Sequence, residues 1–366
     1  MVRKAVRDYV KKEISPIIED YAQRAEFPTQ IIKQLGDMGC FGPTVPAEYG
    51  GGGLDYISYG IMMQELERGD SGVRSTASVQ GSLVMFPIHA YGSEAQKKKF
   101  LPKLASGEWL GCFGLTEPDH GSNPSGMLTN IKDAGDHVVL NGAKMWISNS
   151  PFAQVAVVWA KNEAGEIVGV IVERGMEGFS TPTTHNKWSL RASATGELVF
   201  DNVKVPKENR IGRDGFGFKF AMKTLSGGRI GIAAQALGIA SGAYELALKY
   251  SKERKAFGTE ICNHQAIAFK LADMYTEIEA ARMLVMKAAW DKDCGNNYDM
   301  SSAMAKLYAS KVAMEQTFEA VQIHGGNGFV KEYHVERLMR DAKITQIYEG
   351  TSEIQKIVIS RGVIRG

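Results

Sequence analysis

Four short segments gather the residue types that can do chemistry. The first is QIYEGTSEIQ (346–355). Ser352 and Gln355 have capping-box spacing, which predicts a helix start, with Glu349 in the turn before it and Gly350 beside it. A carboxylate placed there can serve as a general base, and a neighbouring backbone N–H can bind an oxyanion. A solvated glutamate near a helix N-terminus is the plainer alternative, because negative charge is favoured there anyway. The second is FGLTEPDHGSNPSG (113–126), whose N–H groups and the hydroxyls of Thr116 and Ser122 can cradle a phosphate or a flavin edge. A simple interdomain turn fits that spacing equally well. The third, MWISNS (145–150), offers Trp146 to a planar cofactor or to the core. The fourth is a pair of sites, RKAFG (254–258) with Gln265 and QIHGGNG (322–328), either of which fits ordinary helix capping.

Other chemistries lack their signatures. No phosphate-binding G-x-x-x-x-G-K-[ST] occurs, nor G-x-G-x-x-G after a strand, H-E-x-x-H or G-x-S-x-G. The seven histidines have no metal-ligand spacing, so no metal is expected. Forty-three Lys and Arg against 41 Asp and Glu leave a net charge of +2, which argues against a nucleic-acid or membrane-surface binder. The start, MVRKAVRDYVKKEI, reads as an amphipathic helix with Val2, Val6, Tyr9, Val10 and Ile14 on one face rather than as a secretory signal, and no membrane span is expected. Cys40, Cys112, Cys262 and Cys294 are far apart, as in free thiols of a reducing compartment. The bacterial cytoplasm fits that reading, as does the mitochondrial matrix for a processed eukaryotic protein.

The elements that must position these residues fall into three parts, an α+β arrangement. Residues 1–109 carry helical periodicity, including a small, apolar stretch Arg74–Tyr91 that predicts one buried helix and a Ser93–Gln96 capping box. Over 110–215 the period becomes two, in HVVLNGAKMWISN, AQVAVVWAKN, EIVGVIVE and GELVFDNVKVP, which predicts a compact antiparallel β domain. Residues 216–366 return to long helices, Gly217–Lys252, His264–Asp293 and Ser301–Ile323, which imply a bundle.

Taken together and in this order, FGLTEPDHGS, MWIS, R-x-x-FG, Q-x-x-GGNG and YEGTSEIQ resemble the characteristic segments of the acyl-CoA dehydrogenases over essentially the whole chain. The resemblance implies an N-terminal helical domain, a middle antiparallel β domain and a C-terminal four-helix bundle. It implies FAD as cofactor, an acyl-CoA substrate, a homotetramer built as a dimer of dimers, and electron delivery to electron-transferring flavoprotein. Glu349 then matches the base that removes the α-proton, with Gly350 leaving the thioester carbonyl room to approach. Phe113, Leu115, Thr116, Gly121, Ser122, Trp146 and Ser148 match FAD-binding positions, and Thr351 and Glu353 line the same site. Arg254, Phe257, Gln265, Gln322 and Gly326 match residues that reach the neighbouring subunit's cofactor, and Arg229 matches an arginine of the acyl-CoA site.

For the acyl group, ELERGDSGVRSTASVQGSLV (65–84) and WSLRASATGEL resemble glutaryl-CoA dehydrogenases. By that resemblance Arg74 and Ser75 hold a distal carboxylate, Glu67 stands nearby, Ser122 also lies on the substrate side, and Tyr348 adjoins the base. The expected reaction is oxidative decarboxylation of glutaryl-CoA to crotonyl-CoA and CO2, a step of lysine and tryptophan degradation. From the residues alone, Arg74 also fits a surface arginine paired with Asp70 or Glu67. The C-terminal half, from GRIGIAAQALG to IYEGTSEIQ, resembles short-chain, butyryl-type enzymes instead. A short-chain dehydrogenase and a non-decarboxylating glutaryl-CoA dehydrogenase are the alternatives, and a noncatalytic flavin or CoA binder is the reading from another class. Two departures stand out: the usual GSDP is GSNP here, with Asn123, and part of the first helix is expected to be missing.

Overall fold

A computed structural model describes residues 1–365 of the chain. Seven α-helices come first: α1 (Val2–Tyr9), α2 (Ile18–Arg24), α3 (Ile31–Asp37), α4 (Tyr56–Glu67), α5 (Ser71–Ser78), α6 (Phe86–Tyr91) and α7 (Glu94–Ser106). The sequence pattern of the first helix is realised, since Val6, Val10 and Ile14 are buried and a π-helical segment, Val10–Ile14, prolongs α1. Opposite them, the fully buried Glu65 carboxylate of α4 pairs with Arg3 at 2.9 Å, Arg7 at 2.8 Å and Arg68 at 3.1 Å. Three guanidinium groups around one buried carboxylate pin α1 to α4.

The stretch Arg74–Tyr91 is not one regular helix. A π-helical segment, Val79–Met85, separates α5 from α6. Pro87, near the start of α6, has no N–H to continue the helical ladder, and Ser82 bonds back to the Ser78 carbonyl at 2.7 Å. The wide turn absorbs that break. At α7 the capping box forms as read: the Gln96 N–H donates to Ser93 Oγ at 3.2 Å and the Ser93 N–H to Gln96 Oε1 at 2.9 Å.

The middle of the chain forms an eight-stranded sheet from β1 (Gly111–Gly114), β2 (Asn130–Asp133), β3 (His137–Ser148), β4 (Val155–Lys161), β5 (Ile167–Glu173), β6 (Phe179–Ser180), β7 (Thr195–Pro206) and β8 (Arg210–Ile211). The order is β6-β7-β3-β2-β4-β5-β8, with β1 beside β4. Most pairs are antiparallel, but β1 and, at Asn130 against Lys161, β2 run parallel to β4. β1 enters the sheet from α7 rather than through a hairpin, and both pairings lie outside the antiparallel expectation. β4 and β5 are covered on both faces and read as near-continuous Val, Ile and Ala runs.

The third part holds α8 (Gly217–Glu253), α9 (Gln265–Asp293), α10 (Asp299–His324), α11 (Val335–Ile344) and α12 (Ser352–Arg365). A two-stranded hairpin, β9 (Lys255–Ala256) and β10 (Thr259–Glu260), joins α8 to α9. Among the described residues α8 is long and apolar enough to cross a membrane, yet 78% of its most apolar window is buried, as in a core helix. The loop before β7 ties all three parts together. The Leu190 N–H donates to Asp341 of α11 at 2.7 Å, and Arg191 donates to the carbonyls of Ala22 and Gln23, both at 2.9 Å.

Removing the Glu65 carboxylate would take their shared partner from Arg3 and Arg7, each about a third exposed, and leave Arg68 only Glu245. Glu65→Ala is expected to cost about 2–3 kcal/mol, read as a drop in unfolding temperature, while Lys12→Ala at the surface changes it little.

Candidate active site

Glu349 stands in a strained turn between α11 and α12. Its backbone is left-handed (φ 55°), and Gly350 follows at φ 88°. A non-glycine residue there costs free energy and persists only where neighbours enforce it. They do so at the carbonyls: Gln355 Nε2 donates to Glu349 O at 3.2 Å and Gly350 O at 2.8 Å, and Lys306 Nζ donates to Gly350 O at 2.5 Å. Two left-handed residues bring the chain into α12 one residue earlier than the Ser352–Gln355 spacing implies. Thr351 is the cap, its Oγ1 accepting from the Ile354 N–H at 3.3 Å, and Gln355 turns back to the strained carbonyls instead. The N–H groups of Glu349 and Gly350 have no acceptor among the described residues.

The Glu349 side chain points against α8. A Cβ added at Gly228 would stand 1.8 Å from Glu349 Oε1, so only glycine admits the carboxylate. Oε1 is buried and has no hydrogen-bond partner among the described residues. Burial raises this carboxyl to about 7, against the opposing pull of Arg229, Lys306 and Arg74. An acid with these properties near neutral pH can exchange a proton with a bound molecule. Arg229, one residue after Gly228 on α8, is buried, and its Nε has no partner among the described residues.

Arg74 is also buried, at 1% exposure. Its Nε donates to Glu67 at 3.0 Å and its Nη2 to the Tyr348 hydroxyl at 2.9 Å, and Tyr348 in turn donates to Gln235. Ser71 also donates to Glu67, while Asp70 pairs with Arg337 at 2.7 Å. Arg74 is therefore neither a surface arginine nor an unpaired one. Ser75 is buried on the same helix.

The cofactor candidates divide into two groups. In β3 the register against β7 shifts between Lys144 and Ile147, and Trp146 takes φ 61°. This bulge turns the Trp146 indole outward, where it is 58% exposed. The Met145 N–H donates to Thr116 O at 2.9 Å, which sets the indole beside the 113–122 loop. Phe113 and Leu115 are buried beneath that loop, Gly121 and Ser122 are exposed at its rim, and Ser148 ends the strand. An exposed aromatic face next to open backbone and hydroxyls fits a planar, phosphate-bearing group. Thr351 and the exposed Glu353 open α12 next to Glu349. The second group, Arg254, Phe257, Gln265, Gln322 and Gly326, is exposed on the bundle, with Phe257 98% exposed on the β9–β10 turn. No hydrogen bond among the described residues links it to the first group.

Sequence reasoning passed over Lys306, Gln235 and Gly228, and read Gln355 only as half of a capping box. Lys306, alone among the small apolar residues of SSAMAKLYAS, carries the same signal of a buried cation that made Arg74 conspicuous.

A buried carboxyl raised to about 7 and an exposed indole beside an open loop suit proton transfer next to a bound cofactor. Models of the acyl-CoA dehydrogenase N-terminal, middle and C-terminal domains match residues 1–108, 112–203 and 215–364. The chain belongs to the acyl-CoA dehydrogenases. It is 46% identical over 371 residues to a short-chain-specific acyl-CoA dehydrogenase of Clostridium acetobutylicum, covering all of this chain and 97% of that one. A subunit of the caffeyl-CoA reductase–Etf complex of Acetobacterium woodii is 43% identical over 98% of this chain and 96% of its own length. The butyryl-CoA dehydrogenase structure from Megasphaera elsdenii superposes with a TM-score of 0.97 at 45% identity, covering all of this chain and 97% of that one. A glutaryl-CoA dehydrogenase structure from Mycobacterium smegmatis reaches 0.96 at 40%, covering all of this chain and 94% of that one.

These likenesses overturn the expectation of glutaryl-CoA decarboxylation, because the short-chain and butyryl enzymes stand higher in identity. In the same place two of the Arg74 guanidinium nitrogens are already engaged, by Glu67 and Tyr348.

Two outcomes follow from the geometry. Gly228→Ala is expected to displace the Glu349 carboxylate and slow flavin reduction at least 100-fold while flavin absorbance of the purified protein is kept. Glu349 favours its neutral form in the fold, so wild type loses stability as pH rises from about 4.5 through about 7. Glu349→Gln is spared that loss: its unfolding temperature is expected to match wild type near pH 4.5 and exceed it at pH 8, a difference in stability of about 3 kcal/mol.

Proposed function

We propose that this protein is a short-chain acyl-CoA dehydrogenase of butyryl type, with Glu349 as its catalytic base. The observation that carries the reading is the buried, partnerless Glu349 Oε1 beside backbone N–H groups that are free among the described residues. An α-proton of a thioester is weakly acidic, so its removal needs both a base and a place for the enolate charge. The Glu349 carboxylate takes the proton, and its own N–H is positioned to donate to the thioester oxygen. Burial keeps the base close to neutrality in pKa, matched to the working pH. Arg229, Lys306 and Arg74 set a positive field around the developing charge.

The cofactor is FAD, which when bound accepts the hydride from the substrate Cβ. Thr116, Ser122 and Trp146 would hold it with Phe113, Leu115, Gly121 and Ser148, and Thr351 and Glu353 would complete the site beside the base. Arg254, Phe257, Gln265, Gln322 and Gly326 reach the cofactor of a second subunit in a homotetramer, which accounts for their exposure in one chain. Electrons pass to electron-transferring flavoprotein. The similarity to a subunit of an Etf complex supports that partner. Arg74, Tyr348 and Gln235 form a polar wall beside Glu349 that suits a short acyl chain better than a long one. The workplace is the bacterial cytoplasm or the mitochondrial matrix, wherever acyl-CoA and the acceptor flavoprotein meet.

Anaerobic titration of the flavin band tests this directly. Butyryl-CoA is expected to bleach it rapidly and yield crotonyl-CoA, glutaryl-CoA to leave it nearly unchanged, and Glu349→Gln to bind FAD without bleaching. Normal bleaching in Glu349→Gln would remove Glu349 as the base. Silence with butyryl-CoA in a flavin-loaded wild type would remove the short-chain assignment.

A further inference from the structure

Lys306 of α10 is fully buried, yet no carboxylate lies within ion-pair distance of it among the described residues. Its one hydrogen bond, to Gly350 O, goes to a carbonyl that Gln355 already satisfies at 2.8 Å. As a donor the ammonium doubles the Gln355 bond to that carbonyl, which has a lone pair for each. What it adds is charge, and an isolated buried charge is costly unless something nearby uses it. The facing carboxylate is Glu349, whose Oε1 also lacks a partner. We propose that Lys306 is a positioning residue for Glu349: through Gly350 it clamps the left-handed turn, and its own charge opposes the burial cost of the neighbouring carboxylate. This inference rests on the reading of Glu349 as the base.

The groups facing Glu349 are Arg229 on α8, Lys306 on α10, Arg74 on α5 and Tyr59 on α4. Arg74 is compensated by Glu67, and Arg229 lies on the helix that the carboxylate packs against. Lys306 itself faces Glu349, Arg229 and, more distantly, Glu353. Burial pushes the Lys306 ammonium down to about 8 and Glu349 pulls it back, so each group favours the other's charged form. A neutral Glu349 cannot take a proton, so the activity ascribed to it needs such a counter-charge near pH 7.

Two variants separate clamp from charge. Lys306→Gln keeps a donor for Gly350 O and loses the charge, whereas Lys306→Met loses both. In anaerobic rapid mixing with butyryl-CoA, the acid limb of the bleaching rate is expected to move up by about one pH unit in both. Lys306→Met is also expected to lose about tenfold in its plateau rate, and Lys306→Arg to keep the wild-type limb. Independently of turnover, the carboxyl infrared band that Glu349→Gln abolishes should titrate at higher pH in Lys306→Gln. If Lys306→Met fails to hold FAD, Lys306→Gln carries the test. An unmoved acid limb and infrared band in Lys306→Gln overturn the proposal. Should Glu349→Gln be silent at the same time, the base assignment stands and only the role of Lys306 falls. Bleaching by Glu349→Gln removes both.

Discussion

The cost of taking one carboxylate out of water organises this molecule. Glu349 lies where burial alone would leave it protonated and inert. Three cations favour its ionised form, and each comes from a different helix: Arg74 from α5, Arg229 from α8 and Lys306 from α10. None can reach the carboxylate unless those helices pack closely. Glycine on α8 makes that possible, with Gly228 admitting the carboxylate and Gly238 admitting the Glu67 stem. The left-handed turn at Glu349 and Gly350 is the conformational cost of aiming the side chain at α8, and the doubly bonded Gly350 carbonyl offsets it.

A second buried pair does for the cofactor platform what the cation set does for the base. Lys144 of β3 is fully buried and donates to Glu117 at 2.8 Å. Glu117 also accepts from the N–H groups of Leu128 at 2.6 Å and Thr129 at 3.0 Å. Burial opposes the Glu117 charge, but these donors outweigh it and hold the carboxyl down near 2. The loop from Thr116 to Leu128 is thereby closed on itself and fastened to β3 one residue before the bulge that turns out Trp146. The rigidity of the platform thus comes from a charge pair beneath it, which leaves the loop's outer face free for ligand.

Helix and strand placement could be read because periodicity reports burial of whole faces. Val6, Val10 and Ile14 lie on one face of the first helix, and the alternation in GELVFDNVKV matches the in–out pattern of β7. The π-helical break at Val79–Met85 escaped because a missing N–H at Pro87 can be absorbed in several ways, and local pattern does not choose among them. The capping residue of α12 was misplaced by one because Ser352 and Thr351 are both good caps, and only the left-handed pair before them decides. Within the site, Glu349 and Trp146 were conspicuous as chemistry. Gly228 was not, since a glycine inside a helix announces nothing until its contacts are known; Lys306 carried the signal of a buried cation without saying what it faces, and Gln355 read only as a cap.

The substrate expectation failed for a related reason. A charged residue in a small, apolar segment says that a charge is buried, and for Arg74 that inference was sound. It does not say what neutralises the charge. An arginine that reads a substrate carboxylate must either stay unpaired in the free protein, at high cost, or exchange an internal partner for the substrate. Here Glu67 lies one helical turn before α5, Ser71 orients it, and Tyr348 caps the other side of the guanidinium while bonding onward to Gln235 of α8. Exchanging those partners for a ligand carboxylate would bring Glu67 and the incoming charge together around one guanidinium, deep in the fold and a single residue from Glu349. A polar network already built around a buried carboxylate is better suited to ending a pocket than to receiving a second anion, and it leaves an uncharged acyl chain as the occupant that disturbs the buried charges least.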